Sequence, residues 1–433
     1  MAARCRCFQT PEDLTDFLEL QGLSPERARA VASQFFPGFV LLERVPEDCV
    51  AALLEGVEKG GGRGLVLPGG TGHGGGATSV LLAESPETLV SLVKGGVRVE
   101  AGEAFPPLWA AGLEAVLKNS VRTAPEPIAC GGKTMDFSGR PLLMGVLNVT
   151  PDSFSDGGRF LSFEKASERA FQMIEEGADI LDIGGASSRP GSDPVCDEVQ
   201  KERVLPVIRQ IRGHWDGWIS VDTWSSNVAR AAIDAGADIL NDISAGGMDP
   251  AMKDAARETG VPVVLMHMKG TPKTMQLDPT YEGLFRELLG YFEARIREWT
   301  EAGVSRERIL IDPGIGFGKT SLDNLRILKH LEEFKTFGRP VVLGTSRKSF
   351  IGAVLHKDVG ERLLGTLATV AIGAWNGAHV VRVHDVAETR EVLDMVHAIR
   401  QSEGSSASCK AVNGNQVDRK RKGMPSSTFG ENG

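Results

Sequence analysis

The sequence predicts an α/β protein: a (β/α)₈ TIM barrel, preceded by a small α/β domain and followed by a disordered polar tail. Three observations predict the barrel: eight short apolar runs after residue 141, helical windows between most of them, and polar residues clustered where the runs end. The runs are rich in Val, Ile and Leu and too short for helices, which is typical of parallel strands buried on both faces. They are Leu142–Leu147, Ile180–Ile183, Trp218–Val221, Ile239–Ile243, Pro262–Met266, Ile309–Ile311, Pro340–Leu343 and Val380–Val383.

The helical windows end at glycines, which indicates a regular strand–helix repeat. After the first run, Ala166, Ala170 and Met173 fall at helical spacing, and Gly177 takes the position of a helix-ending glycine. A strand–helix unit repeated eight times over about 260 residues matches a (β/α)₈ barrel. An open doubly wound sheet uses the same units and is the alternative, but the polar clusters after every strand favour the barrel.

The chain divides into three parts, predicted at residues 1–125, 126–400 and 401–433. The strand-like pieces and helical windows of the first part are Phe39–Leu42, Gly64–Leu67, Ser79–Leu82, 11–35, 86–94 and 108–118. This mixture predicts a small α/β domain without evident chemistry. Residues 126–140 indicate a hairpin or linker into the barrel, and the Ser-, Gly- and Lys-rich tail is predicted to be disordered.

Composition and charge exclude several classes of protein. The net charge of −9 argues against nucleic acid or an anionic membrane as a partner. The longest nearly uncharged stretch, Leu363–Trp375, is too short to span a bilayer, and the first residues lack the apolar core of a signal peptide. The six cysteines show neither metal-ligand nor disulfide-framework spacing, which fits a reducing compartment. We therefore expect a soluble, cytoplasmic protein.

Polar and charged side chains stand at the ends of all eight predicted strands, where a barrel gathers its active site. In chain order they are Asn148, Asp182, Asp222, Asn241, His267 with Lys269, Asp312, Arg347 with Lys348, and Arg382 with His384. A helix cap or a turn explains one such residue, but not a full ring of acids, amides and bases. The groups of strands three, four and six can pair with the edge of a flat heterocycle. Those of strands one, seven and eight suit an oxyanion such as phosphate and its metal.

The motifs around these residues strongly resemble those of the dihydropteroate synthases. In family order they are Met144–Gly158, Asp182–Gly191, Ser220–Thr223, Asn241–Ser244, Leu265–Met268, Asp312–Lys319, Gly344–Phe350 and Arg382–Asp385. The resemblance covers residues 127–400. Ser188 departs from it, because the family usually has threonine there. The first 125 residues lie outside the common core, although longer family members carry such an extension.

The resemblance implies a transferase of folate biosynthesis. Such enzymes condense 6-hydroxymethyl-7,8-dihydropterin pyrophosphate with p-aminobenzoate, releasing pyrophosphate and forming 7,8-dihydropteroate, and they are sulfonamide targets. The pterin-binding residues it implies are Asp222, Asn241, Met266, Asp312, Phe317 and Lys348. The resemblance also implies Mg²⁺ as cofactor and a homodimer formed through the outer helices.

The remaining site residues are implied in the same way. Asn148, Arg382 and His384 would hold the pyrophosphate, and Asn148 with Asp152 would hold the metal. The p-aminobenzoate pocket would comprise Phe154, Ser187, Ser188, Arg189, Pro190 and Ser349. The residues expected to take part in the chemistry are Lys348, Asp222, Arg382 and His384.

Two other classes of function are weighed against this one. Corrinoid-dependent methyltransferases contain similar pterin-binding barrels, but they resemble this chain less in the first loop and lack the cluster Ser346–Phe350. The chain also shows no cobalamin or zinc module. A non-catalytic pterin-binding homologue is disfavoured because the residues expected to bind the metal and the anion are intact.

Overall fold

The computed structural model describes the barrel almost completely and the preceding region in part. The described residues are 4–6, 15, 24–35, 40–59, 63–67, 77–83, 119, 124–150, 159–187, 191–277 and 279–402. The predicted helical windows at 86–94 and 108–118, and residues 403–433 of the predicted disordered tail, lie outside them.

The described residues before the barrel form a four-stranded antiparallel sheet with two helices. The elements are β1 (Arg4–Arg6), α1 (Pro25–Phe35), β2 (Val40–Pro46), α2 (Glu47–Lys59), β3 (Arg63–Leu67) and β4 (Ala77–Ala83). The strand order is β1-β2-β4-β3, and β2, β3 and β4 confirm the three predicted strand pieces. Sequence reasoning missed α2, although Leu53 and Val57, both buried, stand at helical spacing.

Eight parallel strands then form the barrel. They follow the hairpin β5 (Ile128–Cys130) and β6 (Lys133–Met135), and they are β7 (Leu142–Asn148), β8 (Ile180–Gly184), β9 (Trp218–Asp222), β10 (Ile239–Asp242), β11 (Val263–Met266), β12 (Ile309–Asp312), β13 (Val342–Leu343) and β14 (Val380–Val383). The order is β12-β11-β10-β9-β8-β7-β14-β13. A parallel bridge between Ile311 and Val341 joins the two ends, so the sheet is closed. The predicted barrel and its eight strands are confirmed, and the open sheet is excluded.

Helices surround the barrel. They are α3 (Arg159–Glu175), α4 (Asp197–Arg212), α5 (Ser226–Asp234), α6 (Met252–Thr259), α7 (Leu284–Glu301), α8 (Ser321–Lys329), α9 (Ser349–Leu355), α10 (Leu363–Trp375) and α11 (Val386–Gln401). Alternate strand residues such as Leu181, Ile219 and Val221 join the helices in the main apolar core. None of these helices, nor α1 or α2 in the described N-terminal residues, combines the length and apolarity needed to cross a membrane.

The hairpin β5–β6 closes the end of the barrel where the strands begin. Ile128, Met135 and Phe137 pack in one buried cluster with the first inward residues of the strands, among them Ile180 and Trp218. This confirms the predicted hairpin and makes the lower interior apolar. Inward polar residues therefore collect at the opposite end, where the strands finish.

Shortening the buried side chain of Ile128 tests whether the hairpin seals the apolar end of the barrel. Ile128→Ala should lower the free energy of unfolding by about 2–5 kcal/mol, because it opens a cavity in the sealed end. Thr134→Ala, on the exposed side of the same hairpin, should change it by less than about 0.5 kcal/mol. Chemical denaturation measures both. Equal effects of the two substitutions would show that the hairpin does not seal the barrel.

Candidate functional site

The upper end of the barrel gathers the polar residues that the sequence singles out. Strands alternate their side chains between the helices and the axis. On β9, Trp218 belongs to the inner apolar cluster, so Ser220 and Asp222 also face the axis. By the strand pairing, Asp182 of β8 lies beside Ser220, and Asn241 of β10 beside Asp222. Period-two alternation thus brings the predicted residues to one end of one cavity.

Arg382 of β14 links two neighbouring carboxylates at the centre of this site. Its Nε donates to Asp182 Oδ2 at 2.6 Å, and its Nη2 donates to Asp222 Oδ2 at 2.7 Å. Asn241 Nδ2 donates to the same Asp182 oxygen at 3.1 Å. Asp182 is fully buried, whereas the Arg382 side chain keeps 20% of its surface exposed. A ligand can therefore reach Arg382 from above while Asp182 holds it from below.

Burial shapes the electrostatics of the site. Burial raises the pKa of Asp222 and outweighs the opposing effect of Arg382. It also raises the pKa of Asp312, against the effect of Lys348. Burial lowers the pKa of Lys348 to about 8, although Asp312 acts in the opposite direction. Each of these charges is costly to bury alone, so each depends on partners of opposite charge.

The loop after β12 forms one wall of the site. Asp312 Oδ1 accepts from the backbone N–H of Gly314 at 2.7 Å. Gly314 has φ +69°, and a Cβ there would lie 1.9 Å from the carbonyl oxygen of His267. Only glycine lets this loop rest against the loop after β11. Two predicted pterin-binding residues, Met266 and Phe317, consequently lie in one apolar cluster at this wall.

Lys348 reaches across this wall from the loop after β13. Its Nζ lies 4.8 Å from the centroid of the Phe317 ring and donates to the carbonyl oxygen of Ile315 at 2.5 Å. Ser349, the next residue, begins α9. Lys348 therefore connects the loop after β12, which carries Phe317, to the loop that carries Ser349.

Arg347, which the sequence places beside Lys348 in the ring of polar residues, does not enter the site. It has φ +55°, and its guanidinium binds Asp385 with two hydrogen bonds, at 2.9 and 2.6 Å. Arg347 therefore fastens the loop after β13 to the loop after β14. Lys348 alone of this pair serves the cavity.

His384 is held by the same two loops. Ser346 Oγ lies 2.9 Å from His384 Nδ1 and accepts from the backbone N–H of His384 at 3.2 Å. This contact fixes one edge of the imidazole. The anion-binding role of His384 stays a prediction.

His267 and Lys269 also serve the scaffold. His267 lies 2.9 Å from the ammonium of Lys319 through Nδ1, and Lys319 donates to the carbonyl oxygen of Phe317 at 3.0 Å. Burial lowers the pKa of His267 to about 2 and that of Lys319 to about 7. Lys269 contacts Tyr281 and pairs with Glu287. Sequence reasoning missed Lys319 as a residue that ties the two loops together.

Asn148 ends β7 beside Gly184 and Asp222. A Cβ placed on Gly184 would lie 3.6 Å from Asn148 Oδ1 and 3.7 Å from Asp222 Oδ2. Mg²⁺ prefers hard oxygen ligands of this kind. Asp222 Oδ2 already accepts from Arg382 Nη2, so Asn148 Oδ1 is the candidate metal ligand here. Among the described residues, no group of three His, Cys, Asp or Glu side chains could hold a metal.

The predicted p-aminobenzoate pocket is described only in part. Ser187 is half-buried, and its carbonyl oxygen accepts from Ser192 Oγ at 2.6 Å. Four predicted residues of this pocket and one predicted metal ligand lie outside the described residues: Phe154, Ser188, Arg189, Pro190 and Asp152. Their assigned roles stay predictions.

Comparison with known proteins agrees with this geometry. The family described as pterin binding enzyme matches residues 144–384, which contain nearly all of the barrel. Dihydropteroate synthase of Escherichia coli K12 is 47% identical over 267 residues, 62% of this chain and 94% of that protein. The enzyme of Haemophilus influenzae is 44% identical over 266 residues, 61% of this chain and 96% of that protein.

Solved structures extend the likeness to the fold. The Yersinia pestis dihydropteroate synthase with a sulfonamide drug has a TM-score of 0.61 and 41% identity, covering 64% of this chain and 100% of that one. The Xanthomonas albilineans enzyme with 4-aminobenzoic acid has a TM-score of 0.60 and 41% identity, covering 64% and 99%. The chain therefore belongs to the pterin-binding enzymes and, within them, to the dihydropteroate synthase family.

Proposed function

We propose that the upper end of the barrel condenses 6-hydroxymethyl-7,8-dihydropterin pyrophosphate with p-aminobenzoate to give 7,8-dihydropteroate and pyrophosphate. The observation that carries the proposal is the pairing of Arg382 with Asp182 and Asp222 in a cavity that also holds Asn241 and Asp312. Acids and an amide on one side match the donor-rich edge of a pterin. The guanidinium of Arg382, which binds both Asp182 and Asp222, matches the pyrophosphate that the pterin carries.

Pterin recognition follows from the walls of the cavity. Asp222 and Asp312 offer carboxylate oxygens to N–H groups of the ring, and Asn241 offers its amide oxygen. Met266 and Phe317 supply apolar surface for the faces of the ring. Because these groups are buried, hydrogen bonds to them are stronger than in water, and a ligand that leaves one of them unpaired binds less well.

The reaction needs stabilisation of the leaving group more than a strong base. The C–O bond between the pterin methylene and pyrophosphate breaks with its electron pair on pyrophosphate. The amine nitrogen of p-aminobenzoate forms the new C–N bond and loses one proton. Arg382 and His384 would bind the departing pyrophosphate, while Asp222 and Lys348 hold the ring from which it departs.

A magnesium site suits the oxygen atoms near Gly184. Asn148 would hold the ion through Oδ1, together with Asp152. When bound, the ion would offset negative charge on pyrophosphate. Support for this site comes from Asn148, whose amide oxygen is a hard ligand at the end of β7.

The second substrate would bind next to the pterin. Ser349 follows Lys348 directly and begins α9, so it lies one residue from the ring contact of Phe317. Phe154, Ser187, Ser188, Arg189 and Pro190 would complete the p-aminobenzoate pocket. Together they would place the amine beside the pterin methylene.

A homodimer would cover the exposed apolar side chains of four neighbouring helices. They are Leu322 and Leu325 of α8, Val354 and Leu355 of α9, Leu364, Ile372 and Trp375 of α10, and Met395 and Ile399 of α11. α10 has no charged residue in its thirteen positions, a composition typical of a helix that is covered all round. A second copy of this chain is the occupant we propose, since most oligomers pair identical surfaces.

We also propose a cytoplasmic location, because Cys130 and Cys196 are free thiols.

A pyrophosphate-release assay with both substrates tests the function. The protein should release pyrophosphate only when p-aminobenzoate is present, and faster with magnesium. Asp312→Asn should lower kcat/KM for the pterin substrate about tenfold or more, because it loses charge-assisted hydrogen bonds to the ring. Asp216→Asn, an exposed carboxyl before β9, should leave it unchanged. Normal pterin kinetics in Asp312→Asn would contradict the assigned ring pocket.

The lowered pKa of Lys348 predicts a pH dependence of binding. The free protein loses the Lys348 charge as pH rises through about 8. The pterin pyrophosphate is anionic and prefers the charged lysine, so its affinity should fall above that pH. Lys348→Arg keeps its charge and should lack the fall. Calorimetry across this pH range measures both proteins, and an identical fall in the variant would assign the titration to another group.

Two leucines with equal exposure test the dimer. Leu364 of α10 and Leu277 after β11 are each 79% exposed. Leu364→Glu should produce monomers, because it places a charge in the apolar interface, whereas Leu277→Glu should stay dimeric. Sedimentation velocity separates the two species. A dimer in both variants would place the interface elsewhere, and a monomeric wild type would refute the dimer.

A further inference from the structure

We propose that Asp182 is a positioning residue that holds the pterin-binding amide and the pyrophosphate-binding guanidinium in register with each other. This inference rests on the proposed function. The sequence singled out Asp182 among the strand-end residues, yet neither substrate is assigned to it. Its side chain is fully buried, so it acts on the substrates only through its neighbours.

One oxygen atom of Asp182 makes both contacts. Oδ2 accepts from Arg382 Nε at 2.6 Å and from Asn241 Nδ2 at 3.1 Å. The two donors come from β14 and β10, on opposite sides of β8 in the strand order. A displacement of this carboxylate would therefore move a group in each substrate subsite.

The hydrogen bond to Asp182 also fixes the orientation of the Asn241 amide. A carboxylate only accepts hydrogen bonds, so the NH₂ end of the amide must face Asp182. Asn241 then turns its carbonyl oxygen toward the cavity and offers an acceptor to an N–H of the ring. Without the carboxylate, both amide orientations become possible, and one of them would place a donor against that N–H.

Asp222 cannot take over this role. It also binds Arg382, through Nη2, but it is one of the groups that contact the pterin and is partly open to the cavity. Asp182 binds Nε and Asp222 binds Nη2, so Nη1 is the nitrogen that would face the anion. The other oxygen of Asp182, Oδ1, is buried and has no hydrogen-bond partner among the described residues. A carboxylate kept only for stability would avoid that cost.

Asp182→Asn tests the proposal with two separate ligands. The variant should bind a pterin without pyrophosphate, and inorganic pyrophosphate with magnesium, each roughly tenfold more weakly. A carboxylate that acted only through its charge would repel pyrophosphate, so its removal would tighten pyrophosphate binding. The positioning role predicts the opposite sign. Calorimetry measures both affinities, and circular dichroism and thermal melting confirm that the variant is folded.

Ser220→Ala is the matched control. Ser220 lies beside Asp182 on β9, is equally buried, and its hydroxyl has no hydrogen-bond partner among the described residues. Its removal should leave both affinities unchanged. Pterin affinity within twofold of wild type in folded Asp182→Asn, or tighter pyrophosphate binding, would overturn the proposal.

A double-mutant cycle covers the case in which Asp182→Asn does not fold. The side chains of Asn241 and Arg382 both donate to the same Asp182 oxygen. The effects of Asn241→Ala and Arg382→Lys on affinity for the pterin pyrophosphate should therefore be non-additive. Additive effects would overturn the positioning role. Wild-type protein that releases no pyrophosphate would refute the proposed function itself, whereas an active wild type with these negative results refutes only the role of Asp182.

Discussion

The pairing of Arg382 with Asp182 and Asp222 is the interaction on which the site depends. Three carboxylates, a guanidinium and an ammonium share one largely buried site, and each charge would be costly there alone. Arg382 stands on β14, and its two partners stand on β8 and β9. In the strand order only β7 stands between β14 and β8, with β9 next, so the pairing needs the sheet to curl and turn these side chains toward one axis. Assembly of the site therefore depends on the curvature of the barrel.

The barrel divides its interior between stability and chemistry. Below, the hairpin β5–β6 and the first inward residues of the strands form a sealed apolar layer. Above, the inward positions are acids, amides and cations that water or ligand must satisfy. Substitutions in the lower layer should change the free energy of unfolding, and those in the upper layer should change binding. The same eight strands serve stability and chemistry because their first residues line the sealed end of the barrel and their last residues line the open end.

Sequence alone predicted the strands and most of the ring of polar residues, because both depend on local pattern. The strand-end pattern by itself could not separate Arg347 from Lys348, and only the family resemblance selected Lys348. The structure gives the reason, because the Arg347 guanidinium binds Asp385 instead of entering the site. Sequence reasoning also missed the role of Lys319, whose contact with His267 joins positions 52 residues apart. Such contacts depend on how two loops pack against each other. A glycine such as Gly314 allows the close approach, but its presence in the sequence does not predict which loop it will contact.

The central claim is that the paired charges at the upper end of the barrel receive a pterin and its pyrophosphate together. A crystal structure with a pterin and pyrophosphate tests it most directly. The pterin should bind Asp222, Asn241 and Asp312 through its polar edge. The pyrophosphate should bind Arg382, whose Nε stays on Asp182. A pterin bound outside this cavity, or an Arg382 that leaves Asp182 when pyrophosphate binds, would contradict the claim.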